Sequence, residues 1–205
     1  MSFDATNDYI DVAGINLKQY PIVIINIWTK AYGNESTTYT RVLSDETGGN
    51  IGNMILFRRP SEDRVIFVCN DGSVHTINIA GAFPKDVWIM WTLIRVNNQF
   101  IRLLKNGVQI GSDVSIGDAS TVGATTLTFG AEQWDKGAKY NGEIDSTYIH
   151  AVSSILTPDE IAKIYNEGNG TEDHIPVVRR LPVGTNGQRL QADSSTPEGI
   201  KWVTP

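Results

Sequence analysis

The apolar residues of this chain fall again and again into short runs that alternate, or that fill a stretch too short for a helix. Phe3, Tyr9-Ile10 and Val12 form one such run, followed by Ile22–Trp28, Met54–Phe57, Val65–Cys69, Val74–Ile79 and Ile89–Val96. Turn residues separate them at close intervals. Successive side chains on a strand point to opposite faces, so this pattern describes strands that bury one face, or both where the run is continuous. Short strands at close spacing predict a sandwich and argue against βαβ units. The expected fold is all-β: two antiparallel sheets in a jelly-roll sandwich.

Local signals refine this. Trp91–Val96 and Phe100–Leu104 flank Asn97-Asn98-Gln99, a hairpin, and Asn106-Gly107 turns the chain into Val108–Ser112. Asn-Gly suits a two-residue hairpin turn because both positions need positive φ. One helix is predicted, Pro158 to Asn166. Thr157 is its N-cap, Glu160 completes a Thr-x-x-Glu capping box, Ile161, Ile164 and Tyr165 form one stripe, and Gly168 stands where the helix should end. The Gly-Asn-Gly-Thr-Glu-Asp-His stretch that follows is polar and aperiodic. It divides a main domain, 1–168, from a linker, 169–180, and a tail, 181–205. The tail predicts two extended runs, Arg189–Asp193 and Ile200–Thr204, joined by a turn. A lone hairpin is marginal in water, so Leu181, Leu190, Ile200 and Trp202 need another surface to cover them.

Charge and motifs exclude several functions. With a formal net charge of −6 over 205 residues, the chain lacks the clustered cations that phosphate neutralisation requires, so no nucleic-acid partner is expected. Arg58-Arg59 and Arg179-Arg180 read as solvated strand end or linker. The single Cys69 excludes an internal disulfide and, within an apolar run, reads as a buried, inert thiol. No segment has the length of a membrane span, and the N-terminus lacks the pattern of a signal peptide, so synthesis in a cytoplasm is expected. His75, His150 and His174 have no metal-ligand spacing, and no nucleophile elbow, P-loop or dinucleotide fingerprint occurs. Trp28, Trp88 and Trp91 lie on alternating runs and read as core or core-rim residues.

Two resemblances sharpen the picture. Phe3-Asp-Ala-Thr-Asn-Asp-Tyr-Ile-Asp-Val, the strand ending Trp28, Trp91-Thr-Leu-Ile-Arg with Leu104-Lys-Asn-Gly-Val, Leu127-Thr-Phe-Gly-Ala, Tyr140-Asn-Gly-Glu-Ile-Asp and the helix Leu156–Gly168 together resemble laminin G-like, concanavalin A-like jelly rolls. Ala5 stands where that pattern has glycine, and Leu104 where an aromatic is common. Separately, Leu181-Pro-Val-Gly-Thr-Asn-Gly-Gln with Ala192-Asp-Ser and Lys201-Trp resembles a C-terminal segment of bacteriophage head and tail appendage proteins.

These resemblances imply a non-enzymatic virion surface protein, a head decoration or fibre or a tail appendage, made in the bacterial host. Its jelly roll would bind glycans, and its tail would assemble a homotrimer or contact other virion proteins. A purely structural cement protein is the alternative. A glycoside hydrolase is a further one, weakened because Glu143-Ile-Asp145 lacks the third alternating carboxylate of the glucanase strand. Relatives often bind calcium, and Asp4, Asp8 and Asp145 would converge on it if the end strands pair. A sugar needs aromatic rings with planar amides and carboxylates on loops. The loops Tyr32–Tyr39 and Ala131–Tyr140 supply Tyr32, Tyr39, Gln133, Trp134, Asp135 and Tyr140, with Glu132 beside them.

Overall fold

The computed structural model describes residues 1–33, 39–47, 52–133, 135–152, 156–166, 189–192 and 200–203. In chain order the strands are β1 (Ser2–Asp4), β2 (Ile10–Ala13), β3 (Ile22–Ala31), β4 (Thr40–Ser44), β5 (Ile55–Arg59), β6 (Arg64–Asn70) and β7 (Val74–Ile79). Then come β8 (Trp88–Val96), β9 (Phe100–Lys105), β10 (Val108–Gln109), β11 (Val114–Ser115), β12 (Thr126–Phe129) and β13 (Asn141–Val152). Helix α1 (Pro158–Tyr165) and strands β14 (Arg189–Ala192) and β15 (Ile200–Val203) complete the described elements. The chain divides into two compact units, Met1–Glu172 and Asp173–Pro205. The sequence had placed the end of the first at 168.

In the first unit, the described strands form two antiparallel sheets. One has the order β1-β13-β3-β8-β9-β10, with β11 also on β9, and the other β2-β12-β4-β5-β6-β7. Strands from the two ends of this unit pair in both sheets, β1 with β13 and β2 with β12. The inner faces close on one core. Phe3, Val23, Ile25, Ile27, Trp91 and Leu93 come from the first sheet, and Leu43, Leu56, Phe67 and Leu127 from the second. Each such side chain contributes about 1.5–3 kcal/mol by leaving water.

β3 is buried on both faces, in keeping with its mostly apolar sequence, and its buried Asn26 and Thr29 accept hydrogen bonds from Thr92 and Trp91 of β8. Its outer face carries Trp28, and Tyr165 of α1 stacks there with ring centroids 5.9 Å apart. The capping box of α1 is present in full. The helix ends at Asn166, which takes a left-handed φ of 46°. Asn tolerates that conformation well enough to stop the helix before Gly168, a residue outside the described set. The Asn106-Gly107 turn has φ of 52° and 77°, as a type I′ hairpin requires. Among the described residues, no helix is long and apolar enough to cross a membrane.

One sequence reading, that of Arg58, needs correction, and two further placements bear on the core. Trp88 is 38% exposed, whereas Trp91 is fully buried. Three residues apart on one strand, they point to opposite faces. Arg58 is not a solvated strand end but is 1% exposed, donating to the Phe83 carbonyl at 3.2 Å and to Asp63 at 2.9 Å. Arg95 also enters the interior, where its guanidinium donates to the carbonyls of Leu17 and Tyr20 at 3.0 and 2.7 Å. A buried charge persists only with partners of this kind.

In the second unit β14 and β15 pair antiparallel, with Leu190 opposite Trp202 and Ala192 opposite Ile200. Leu181 and Arg179-Arg180 lie outside the described residues.

Candidate functional site

One end of the six-stranded sheet gathers three segments. Tyr9 leads into β2, the segment 130–140 leaves β12, and Tyr39 leads into β4. The register fixes this: Ile10 faces Phe129, which in turn faces Leu43. The segment 130–140 closes on itself through Glu132 N–H to the Gly137 carbonyl at 3.0 Å and Tyr140 N–H to the Gly130 carbonyl at 2.8 Å. It docks on β4 through Arg41 N–H to the Ala138 carbonyl at 2.7 Å. Lys139 donates to the Thr6 carbonyl, tying the same segment to the β1–β2 turn. Lys136 reaches Asp11 at 2.6 Å and lies 5.0 Å above the Tyr9 ring.

Two tyrosines stand at the edges of this platform, Tyr9 43% and Tyr39 39% exposed. Two strand spacings separate the ends of β2 and β4, about 10 Å. Tyr39 packs edge-on against Phe57, with the Arg59 guanidinium 5.4 Å from its ring. Beside Tyr9, an open groove of about 310 Å³ is lined by Ser2, Asn7, Asp8 and Tyr9 among others.

Charged groups lie buried beneath this end of the sheet. Arg41 makes a two-point ion pair with Glu46 at 3.0 and 3.1 Å, and its guanidinium lies 3.7 Å over the Phe57 ring. It also pairs with Glu132 at 2.5 Å. Burial pushes the Glu132 carboxyl up to about 7; Arg41 opposes the shift, and Asp135 and Glu46 add to it. Asp11 is held below its ordinary value because the Lys136 and Thr128 hydrogen bonds outweigh its burial.

The sequence-predicted sugar residues thus part company. Tyr39, Gln133 and Asp135 come to this end. Tyr32 lies on the other sheet, its hydroxyl donating to Glu143, with Lys30 5.5 Å from its ring. Tyr140 is fully buried in the core and presents no ring face to a ligand. Trp134 lies outside the described residues. Tyr9, Asn7 and Arg41 are not among the sugar residues that the sequence suggests. An arginine inside the Thr40–Ser44 strand followed at once by two acids was the signal available.

The three carboxylates expected to hold calcium do not meet. Asp4 and Asp8 close the β1–β2 turn: Asp8 accepts from Asp4 N–H at 3.1 Å, and Asp4 from Thr6 N–H at 2.8 Å. Asp4 stands opposite Asn141, four residues from Asp145 along β13, about 13 Å away. Among the described residues no cluster of three or more His, Cys, Asp or Glu could hold a metal.

The opposite end of the same sheet holds a different oxygen-rich site. Asp45 is buried, with one oxygen accepting from Met54 N–H at 2.9 Å. Asn53 donates to the carbonyls of Ala119 and Val122 at 2.7 and 3.3 Å. Asp45 Oδ2 and Asn53 Oδ1 have no hydrogen-bond partner among the described residues. Gly123 brings the two together: a Cβ there would sit 2.6 Å from Asp45 Oδ2 and 2.9 Å from the Asn53 Cβ. Burial pushes the Asp45 carboxyl up to about 7. Burial likewise pushes the Cys69 thiol up to about 12, which leaves it un-ionised.

Known proteins match this architecture. The family model described as the concanavalin A-like lectin/glucanases superfamily matches residues 4–162. The receptor-binding domain of botulinum neurotoxin mosaic serotype C/D superposes with a TM-score of 0.63 at 18% identity, covering 82% of this chain and 41% of that one. The NanB sialidase from Streptococcus pneumoniae superposes with a TM-score of 0.62 at 14% identity, covering 80% and 27%. The binding domain of botulinum neurotoxin DC, solved in complex with rat synaptotagmin II, gives 0.58 at 16% identity, covering 81% and 42%. The chain therefore spans less than half the length of these structures, and the likeness concerns the fold. No curated protein matches the chain in sequence.

Proposed function

This chain belongs to the concanavalin A-like lectin/glucanase superfamily, and from that premise we propose that it is a non-enzymatic binding module for surface glycans. The ligand would sit at the end carrying Tyr9, Tyr39 and the segment 130–140. One observation carries the reading: two half-exposed tyrosine rings flank a segment that presents the Gln133 amide and the Asp135 carboxylate on a rigid sandwich. Sugars are held by stacking on such rings and by hydrogen bonds to planar polar groups. One of the similar structures is a toxin's receptor-binding domain, and another toxin's binding domain was solved in complex with rat synaptotagmin II. A protein ligand is accordingly the second reading.

The test is a glycan array followed by titration of the best ligand. Tyr39→Ala and Tyr9→Ala should each weaken binding about tenfold or more, with melting temperatures close to wild type. Undiminished binding in both variants would remove this surface from consideration.

The tail carries the rest of the proposal. Its likeness to phage appendage segments, with Leu190 set opposite Trp202 on a short hairpin, supports a virion protein that assembles as a trimer through residues 181–205. Many copies on one particle would turn weak single-site affinity into avidity. Light scattering should give three times the chain mass for the full chain and one for a version stopped after Glu172. A monomeric full chain would contradict self-assembly.

A further inference from the structure

We propose that Asp45 and Arg95 form a buried ion pair between the two sheets, joined by an internal water molecule that Asn53 also holds. All three side chains are fully buried. Asp45 follows β4 and Asn53 precedes β5, both in the six-stranded sheet, whereas Arg95 lies on β8 of the seven-stranded sheet. Each keeps one polar atom without a hydrogen-bond partner among the described residues: Oδ2 of Asp45, Oδ1 of Asn53 and Nε of Arg95. An interior polar atom is costly to leave unpaired.

The other atoms of these side chains are already committed, so rotation does not satisfy the three. Asp45 Oδ1 accepts from Met54 N–H at 2.9 Å. The Asn53 amide is oriented by the carbonyls of Ala119 and Val122, which take its Nδ2 and leave Oδ1 as the acceptor. Arg95 is pinned by the carbonyls of Leu17 and Tyr20 through one Nη, with the other on Asn97. The three groups are neighbours. A Cβ on Gly123 would stand 2.6 Å from Asp45 Oδ2 and 2.9 Å from the Asn53 Cβ. Asp45 and Arg95 each favour the other's charged form, and the Cys69 thiol of β6 senses both.

The chemistry of the three atoms selects the occupant. A proton on Asp45 would give Asn53 a donor and leave the Arg95 Nε–H without an acceptor. A metal ion would suit the two oxygens, but it would face the Arg95 guanidinium and the Lys18 ammonium, which donates to the Gly123 carbonyl at 3.2 Å. Water accepts from Nε and donates to both oxygens, and about three such bonds are usual for an internal water. The bridge ties the end of β4 to β8, nearly as well as a direct hydrogen bond would.

The test is a crystal structure of the full chain at a resolution that orders internal solvent, grown once with a chelator and once with calcium. The same peak should appear in both, about 2.7–3.0 Å from Asp45 Oδ2, Asn53 Oδ1 and Arg95 Nε. In solution, a water-to-protein NOE should reach the Gly123 Hα protons. Arg95→Lys keeps the charge and removes Nε, so it should lose most of that NOE. Should that variant fail to fold, the wild-type peak decides alone. A direct contact between Asp45 and Arg95, a dry site, or a calcium-dependent peak at about 2.3–2.6 Å would overturn the bridge. So would a folded Arg95→Lys variant that keeps the wild-type NOE.

Discussion

The two ends of the six-stranded sheet use the same chemistry in opposite ways. Each holds a carboxyl pushed by burial to about 7, Glu132 at one end and Asp45 at the other. Around Asp45 the backbone provides: amide donors from Met54, and a glycine at φ 102° that lets the chain pass close by. Around Glu132 side chains provide, and left-handed positions are filled by Ala5, Lys136 and Ala138 as well as by Gly130. Strained non-glycine backbone under exposed rings is characteristic of sites that act on something. Glycine in a mesh of buried donors is characteristic of a scaffold. The difference sets the proposed binding surface apart from the opposite end of the same sheet.

The largest break in this comparison should come from Gly123→Ala. A methyl group would collide with Asp45 Oδ2 and lie 3.1 Å from the Asn53 backbone nitrogen, at a φ that alanine resists. Urea denaturation should show a loss of about 2–4 kcal/mol; a loss under 1 kcal/mol would mean that this end yields easily. Ala5→Gly probes the other end and has the reverse sign. Ala5 sits at φ 62°, where an L-residue costs roughly 1–2 kcal/mol, partly offset by the greater freedom of glycine when unfolded. A gain of about 0.5–1 kcal/mol is expected, and a loss would show that the turn is unstrained.

What the sequence made legible was local. Alternation located β3, β6 and β8, Asn106-Gly107 located a turn, and Thr157 with Glu160 located a helix start, because each signal lies within a few residues. Ala5 marked itself by replacing glycine, and the structure gives it the conformation glycine favours. Arg58 and Arg95 were illegible because their burial depends on carbonyls and an acid supplied by turns and loops outside their own strands. Tyr39, Gln133 and Asp135 could be chosen from loop composition. Arg41 and Glu132, 91 positions apart, become neighbours only through the strand order β12-β4. Tyr140, chosen from the same loop composition, instead turns inward to the core.

Mapping chemical-shift changes on the full chain, with the best ligand from a glycan array, tests the central claim most directly. The account predicts that the changes concentrate on Tyr9, Tyr39, Arg41 and the segment 131–140, with the Asp45–Asn53–Gly123 end silent. Changes centred on that second end, or on the exposed face around Trp88, would contradict the assignment of the working surface.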